Sequence, residues 1–327
     1  MSWAATFSRI VVGAVLGVAM LQASAARAAD KVIVGLISSG TAIDWPLYIG
    51  VSQGFFTAEN IEVDIVNAQS SAAGIQQLIS GSTHIVTNAG LVDPVRAIEK
   101  GAPIAILRIM VQAPPYALVS KPGIKTLADL KGKTIIIGGG AKDVTRIFVE
   151  AMLKPHGVKP GEFDMVFAGS SGARFSALQS GAVDAAILPV PIMFFAESAG
   201  FNNLGYVLDY LKDMPFVGFA ANRSWATANA GLVERFQRVF NKSVAWFEAD
   251  ANRSQAVKIM MDVTKLKQED VEKAYDFLRS KHSFEPTGKV SKARLGQVVE
   301  SLQELGDVPA GFDVNRLVLP GVTQVVD

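Results

Sequence analysis

The chain has 327 residues, 50% of them hydrophobic, with 31 basic against 30 acidic side chains and no cysteine. The absence of thiols excludes disulfides, thiolate metal sites and a lipid-modified cysteine at a processed N-terminus, and a chain this long buries enough apolar surface without cross-links. A balance so close to neutral offers nothing specific to nucleic acid or an anionic membrane, so neither is expected as a partner.

The chain opens with Arg9, an uncharged apolar run from Ile10 to Leu21, and small residues that include Ala23-Ser24-Ala25 and Ala26-Arg27-Ala28. That order is the order of a secretory signal, and about a dozen apolar residues is too short to span a bilayer. Residues 1–28 are expected to be removed, with cleavage after Ala28 and Ala25 as the next choice. Loss of Arg9 and Arg27 leaves 29 basic against 30 acidic groups in a soluble exported product.

A first lobe follows: strand Val32 to Ile37, helix Pro46 to Phe56, strand Ile61 to Val66, helix Ala72 to Ser80, strand His84 to Asn88, helix Val92 to Lys100 and strand Pro103 to Val111. Pro114-Pro115 interrupts, and a crossing to a second lobe is placed near Ala117 to Ser120. The second lobe reads as strand Thr134 to Gly138, helix Asp143 to Lys154, strand Phe163 to Ala168, helix Gly172 to Ser180, strand Val183 to Leu188, helix Ile192 to Ala199 and strand Leu204 to Leu208. Met214 to Asn222 is β-rich and reads as the return crossing. The expected lobes are thus 29–117 plus 219–327, and 118–218.

After Trp225 the pattern is helical, over Gly231 to Ala251, Ser254 to Asp262, Lys267 to His282 and Ser291 to Leu305. Val233, Phe236, Val239, Phe240, Val244 and Phe247 recur at helical spacing and form one apolar face, which the first lobe is expected to cover.

One stretch is written twice. VDIVNAQSSAAGIQQLISGSTHIVT from Val63 aligns without a gap on FDMVFAGSSGARFSALQSGAVDAAI from Phe163, matching Ser70-Ser71 with Ser170-Ser171 and Ser80-Gly81 with Ser180-Gly181. Each copy is a βαβ unit, so both lobes are expected to be parallel α/β sheets, whose ligands bind beyond the carboxyl ends of the strands. Two such edges facing each other make a cleft.

Several residues there have the chemistry of a binding site. Ser70-Ser71 and Ser170-Ser171 read chiefly as helix N-caps, with a share left for contacts to a ligand. IIIGGGAKDVT, Ile135 to Thr145, is a strand, a glycine turn and a helix start, which suits an anion or is simply a tight turn; it matches no nucleotide loop. Arg174 either clamps an anion with its fork of donors or pairs with an acid such as Asp184. Trp45 and Tyr116 either wall the pocket or pack in a core. AGSSGAR lacks the second glycine of a nucleophile elbow, and His84, His156 and His282 are scattered, so no catalytic serine and no metal site is expected. Few carboxylates fall at the expected site, which argues against a cationic ligand.

The segments IGVSQGFFTAENIEVDIV (Ile49 to Val66), QQLISGSTHIV (Gln76 to Val86), LADLKGKTIIIG (Leu127 to Gly138) and ALQSGAVDAAILPVP (Ala177 to Pro191) resemble the nitrate, taurine, alkanesulfonate and thiamine-pyrimidine-precursor receptors of ABC importers. The resemblance covers most of Lys31 to Asn222. It implies a type II periplasmic binding-protein fold, two α/β lobes on two hinge crossings with the helical tail packed on lobe one. It implies capture of a small solute by hinge closure and delivery by a periplasmic monomer to an inner-membrane permease without catalysis or cofactor; the helix starts, Lys142 and Arg174 favour an anionic or polar organic solute, a sulfonate or carboxylate. Matched by position, the family's contacts fall on Ser39, Gly40, Ser70, Ser71, Asn88, Gly140 and Ser171, with Trp45, Tyr116, Lys142 and Arg174 beside them. A neutral heterocycle such as a pyrimidine precursor is the alternative ligand. Kinship to the pyrimidine synthases of this fold is opposed by the missing cysteines of their motif.

Overall fold

The computed structural model describes residues 28–37, 40–68 and 70–327; the expected signal through Arg27, and Ser39, lie outside the described residues. Ten strands form two five-stranded sheets. The first holds β1 (Asp30–Ile37), β2 (Ile61–Ala68), β3 (Ile85–Gly90) and β4 (Ile104–Val111), joined late by β10 (Val217–Asn222), in the order β2-β1-β3-β10-β4. The second holds β5 (Tyr116–Ser120), β6 (Thr134–Ile137), β7 (Asp164–Phe167), β8 (Ala185–Pro189) and β9 (Asn202–Tyr206), in the equivalent order β7-β6-β8-β5-β9.

Neither sheet is wholly parallel, as the repeat alone suggests. β1 runs parallel to β2 and β3, and β6 to β7 and β8, but β10 is antiparallel to β3 and β4, and β5 to β8 and β9. β5 and β10 are the strands that arrive from the other sheet, so they enter from the opposite end. The crossings also differ from expectation. Ala117 to Ser120 pairs along its length with β8, so the first change of sheet falls earlier, at Gln112 to Pro115, where two prolines have no N–H to give a ladder. Val217 to Asn222 belongs to β10, and the return lies between Tyr206 and Val217.

The repeated unit is reproduced closely. Helices Ser71–Ser80 and Ser171–Gln179 are capped by Ser70 and Ser170, whose side chains accept a hydrogen bond from the backbone N–H of Ala73 and Ala173, three residues on, at 3.2 Å in each copy. Each cap satisfies one of the helix's orphan donors, for about 1 kcal/mol.

The long tail helix Ala230–Glu248 buries the predicted face. Phe236 and Phe240 meet Phe56 at 5.2 and 6.1 Å, and Phe240 meets Phe219 edge-on at 4.6 Å, each burial contributing about 1.5–3 kcal/mol. Further on, Val318 bridges to Ile106 and the Thr323 hydroxyl donates to the Ile106 carbonyl at 3.0 Å, which ties the tail to the first sheet. It also reaches the second, where Phe277 packs on Phe194 at 5.6 Å and Tyr206 at 5.0 Å.

Candidate functional site

The carboxyl ends of β1, β3, β6, β7 and β8 converge on one cleft of about 310 Å3, lined from the first sheet by Ile37, Ser70, Ser71, Asn88 and Asp93, and from the second by Tyr116, Asp143, Ser170, Ser171 and Arg174. The two copies of the repeat therefore face each other across it.

On the first side, Asn88 knits the loop after β1. Its Oδ1 accepts from Ile37 N–H at 2.7 Å, and its Nδ2 donates to the Ile37 carbonyl at 3.1 Å and to Asp44 at 3.3 Å. Asp44 is fully buried, held also by the Thr41 hydroxyl at 2.6 Å, while its Oδ1 has no hydrogen-bond partner among the described residues. Burial pushes its carboxyl up to about 7, against the bonds from Thr41 and Asn88. The Ser71 hydroxyl donates to Asp93, whose other oxygen accepts from Arg96 at 3.2 Å. Burial raises the Asp93 carboxyl, Ser71 and Arg96 oppose that, and Asp143 across the cleft adds to it.

On the second side, Arg174 is 3% exposed. Its Nε donates to the Ile187 carbonyl at 2.9 Å, Nη1 to those of Ala168 and Gly169 at 3.1 and 3.2 Å, and Nη2 to the Ser171 hydroxyl at 2.9 Å. Four of five donors are used, all on neutral acceptors. The expected alternative partner, Asp184, pairs with Lys121 at 3.1 Å instead. Burial lowers the Arg174 pKa, partly offset by Tyr116 and Asp143. The Tyr116 ring packs tilted against Phe148 and edge-on against Phe216, each at 5.4 Å, and burial raises its hydroxyl.

The glycine loop behaves otherwise than its pattern suggests. Asp143, the N-cap of helix Val144–Leu153, folds its carboxylate back into the turn, accepting from Gly139 N–H at 3.0 Å, Thr145 N–H at 2.9 Å and the Thr145 hydroxyl at 2.6 Å. The anion cradle is filled by the chain's own anion. A Cβ on Gly138 would lie 2.3 Å from Asp143 Oδ1, so the glycine there makes room for the carboxylate.

Of the residues singled out from sequence, Ser70, Ser71, Asn88, Tyr116, Ser171 and Arg174 line the cleft. Four others are placed elsewhere. Trp45 is wholly buried between Phe247 and Tyr275, its Nε1 donating to the Ala256 carbonyl at 2.8 Å. Lys142 turns out to the tail and pairs with Asp307. Gly140 only supports the turn, its carbonyl accepting from Asp143 N–H at 2.9 Å. Gly40, at φ +74°, donates to the Tyr48 hydroxyl at 3.3 Å behind the first loop. Asp93 and Asp143 were missed, so the supposed shortage of carboxylates is corrected: two line the cleft, both engaged. Asp143 was visible as an N-cap after the glycines, whereas Asp93 left no local signal.

The profile of the NMT1/THI5-like family matches residues 44–254. A putative binding protein, YtlA of Bacillus subtilis (strain 168), is 21% identical over 292 residues, 86% of this chain and 85% of YtlA. Among solved structures, the periplasmic aliphatic sulphonate binding protein SsuA of Escherichia coli superposes with a TM-score of 0.73 at 18% identity, over 90% of this chain and 99% of that one. The periplasmic nitrate-binding protein NrtA of Synechocystis PCC 6803 gives 0.74 at 15% identity, over 89% and 86%. The desulfurization enzyme DSZB shares the fold too, at 0.68 and 13% identity over 90% and 97%, so the fold by itself does not separate binding from turnover. The chain has a periplasmic-binding-protein fold, and with its family profile spanning well over half its length it belongs to the NMT1/THI5-like family.

Proposed function

We propose that the protein is the periplasmic substrate-binding component of an ABC importer, which closes about its two crossings on a small organic anion, a sulfonate or carboxylate, and delivers it to a permease. The observation that carries the sign is Arg174, a buried guanidinium in the cleft wall that hydrogen-bonds only to carbonyls and a hydroxyl, with Asp143 acting on its charge without a hydrogen bond. A buried cation with no hydrogen-bonded counter-ion keeps part of its desolvation cost, which an arriving anion recovers. Tyr116 and the starts of the two repeated helices line the same space, and the helix starts add partial positive charge. Ile37, Val144, Val190 and Phe216 supply apolar wall for the organic part. Nothing in this mechanism forms a covalent bond. Ligand binds, the closed arrangement gains population by its higher affinity, and the permease receives it.

A second reading, a ligand with donors of its own such as an aminopyrimidine, is favoured by Asp93 and Asp143, which offer acceptors on both sides of the cleft. Calorimetry of the processed protein against alkanesulfonates, carboxylates, nitrate and pyrimidines separates the two. The anion reading expects a sulfonate or carboxylate to bind at one-to-one stoichiometry and Arg174→Gln to weaken it roughly thirty-fold or more, the loss of one charge-assisted contact. Pyrimidine binding insensitive to Arg174→Gln would favour the second reading. Consumption of any ligand during titration would make the protein an enzyme.

A further inference from the structure

Asp307 lies in the turn after tail helix Lys292–Glu304, and its side chain is only 5% exposed. It accepts from Arg96 of the first lobe through Nη2 at 2.7 Å and Nε at 3.0 Å, and its other oxygen pairs with Lys142 of the second. Burial alone would raise this carboxyl, but Lys142 and Arg96 outweigh burial and hold it below the ordinary range. Lys142 stands in the loop that follows β6, one residue before the cleft carboxylate Asp143, and is itself 77% exposed. Arg96 is also bonded to Asp93, and Asp93 to the Ser71 hydroxyl in the cleft wall. One line of charge thus runs from the ligand space along the rim, through the tail, and across to the opposite lobe.

We propose that Lys142 and Asp307 form a latch that holds the cleft closed, with Asp307 as a positioning residue fixed to the first lobe by Arg96. The tail, tied to the first sheet through Val318 and Thr323, carries the fixed half of the latch, and the glycine loop carries the moving half. Opening about the crossings draws Lys142 away and leaves Asp307 with Arg96 alone, so its buried carboxylate stays compensated in the open form. The energy at stake is that of one exposed lysine pair, enough to bias an equilibrium without locking it. A ligand acceptor at Ser71 competes with Asp93 for the hydroxyl proton and so reaches Arg96 and the latch.

The inference rests on the hinged binding reading, and its test keeps the two apart. The chain has no cysteine, so Glu62→Cys and Lys125→Cys, exposed positions on the two lobes, accept dyes cleanly for single-molecule distance measurement of the ligand-free protein. Lys142→Met is expected to raise the open-to-closed ratio roughly two- to five-fold, Lys142→Arg to restore it, and 0.5 M salt to imitate the Met variant by screening. A wild type that interconverts, with a Lys142→Met distribution superimposed on it, overturns the latch and leaves the hinge standing. A single fixed distance in wild type, with and without the ligand panel, overturns both.

Discussion

Arg174 and Asp44 show how differently the two lobes treat a buried charge. The guanidinium spreads its donors over the ends of β7 and β8, so it is oriented before any ligand arrives. Its counterpart in the first repeat is Gly74, where a Cβ would already press on Ile37 at 3.2 Å, and no long side chain fits. Asp44, behind the first loop, instead holds its proton up to about pH 7 because of its burial. Between the ordinary carboxylate range and about 7, the folded chain retains a proton that the unfolded chain has lost, so stability falls as pH rises through that window. The slope from this group approaches ~1.4 kcal/mol per pH unit. Asp44→Asn is expected to flatten the fall and to raise the melting temperature above pH 7; an unchanged profile in thermal unfolding from pH 4 to 8 would show that Asp44 is ionised when folded.

At the scale of elements, strand, turn and capped helix recur twice, yet the loop preceding the cap decides what each unit offers the cleft. After β6 the turn Gly138 to Gly140 is closed on Asp143. Gly138→Ala puts a methyl where the carboxylate sits, so the cap must leave the turn or the backbone must shift. The expected cost is about 1–2 kcal/mol, the value of a lost N-cap, together with weaker ligand binding because Asp143 and Val144 line the cleft. Denaturant titration reads the first effect and calorimetry the second; loss of stability with ligand affinity intact would place the loop outside the site.

Taken whole, the molecule is two sheets that exchange one strand each, with a helical strap from the first lobe reaching the second. Trp45 is where the strap is fastened, since its ring and Nε1 engage Phe247, Tyr275 and Ala256 from distant parts of the chain. Trp45→Ala is expected to cost about 3–5 kcal/mol and to leave the ligand contacts in place, measured by chemical unfolding beside calorimetry at a temperature where the variant is folded. A variant as stable as wild type that fails to bind would return Trp45 to the binding site. The strap also explains why the latch partner of Lys142 comes from position 307.

The sequence by itself determined the elements, the two-lobe organisation and the edge at which the cleft forms. These rest on periods of two and 3.6, on proline and glycine punctuation and on serine caps, all of which act within a few residues. Tertiary structure alone decided which side chains face the cleft. Lys142 was drawn to Asp307 and Trp45 to the tail core by partners too remote in the chain for spacing to reveal, while Arg174 took nearby carbonyls rather than Asp184, which Lys121 holds. The glycine loop lies between these cases. Its pattern is the same whether the anion it cradles is a ligand or Asp143, and only the folded backbone, by turning the carboxylate inward, distinguished them. The direction of β5 and β10 was likewise invisible to strand propensity, because it depends on which lobe the chain has just left.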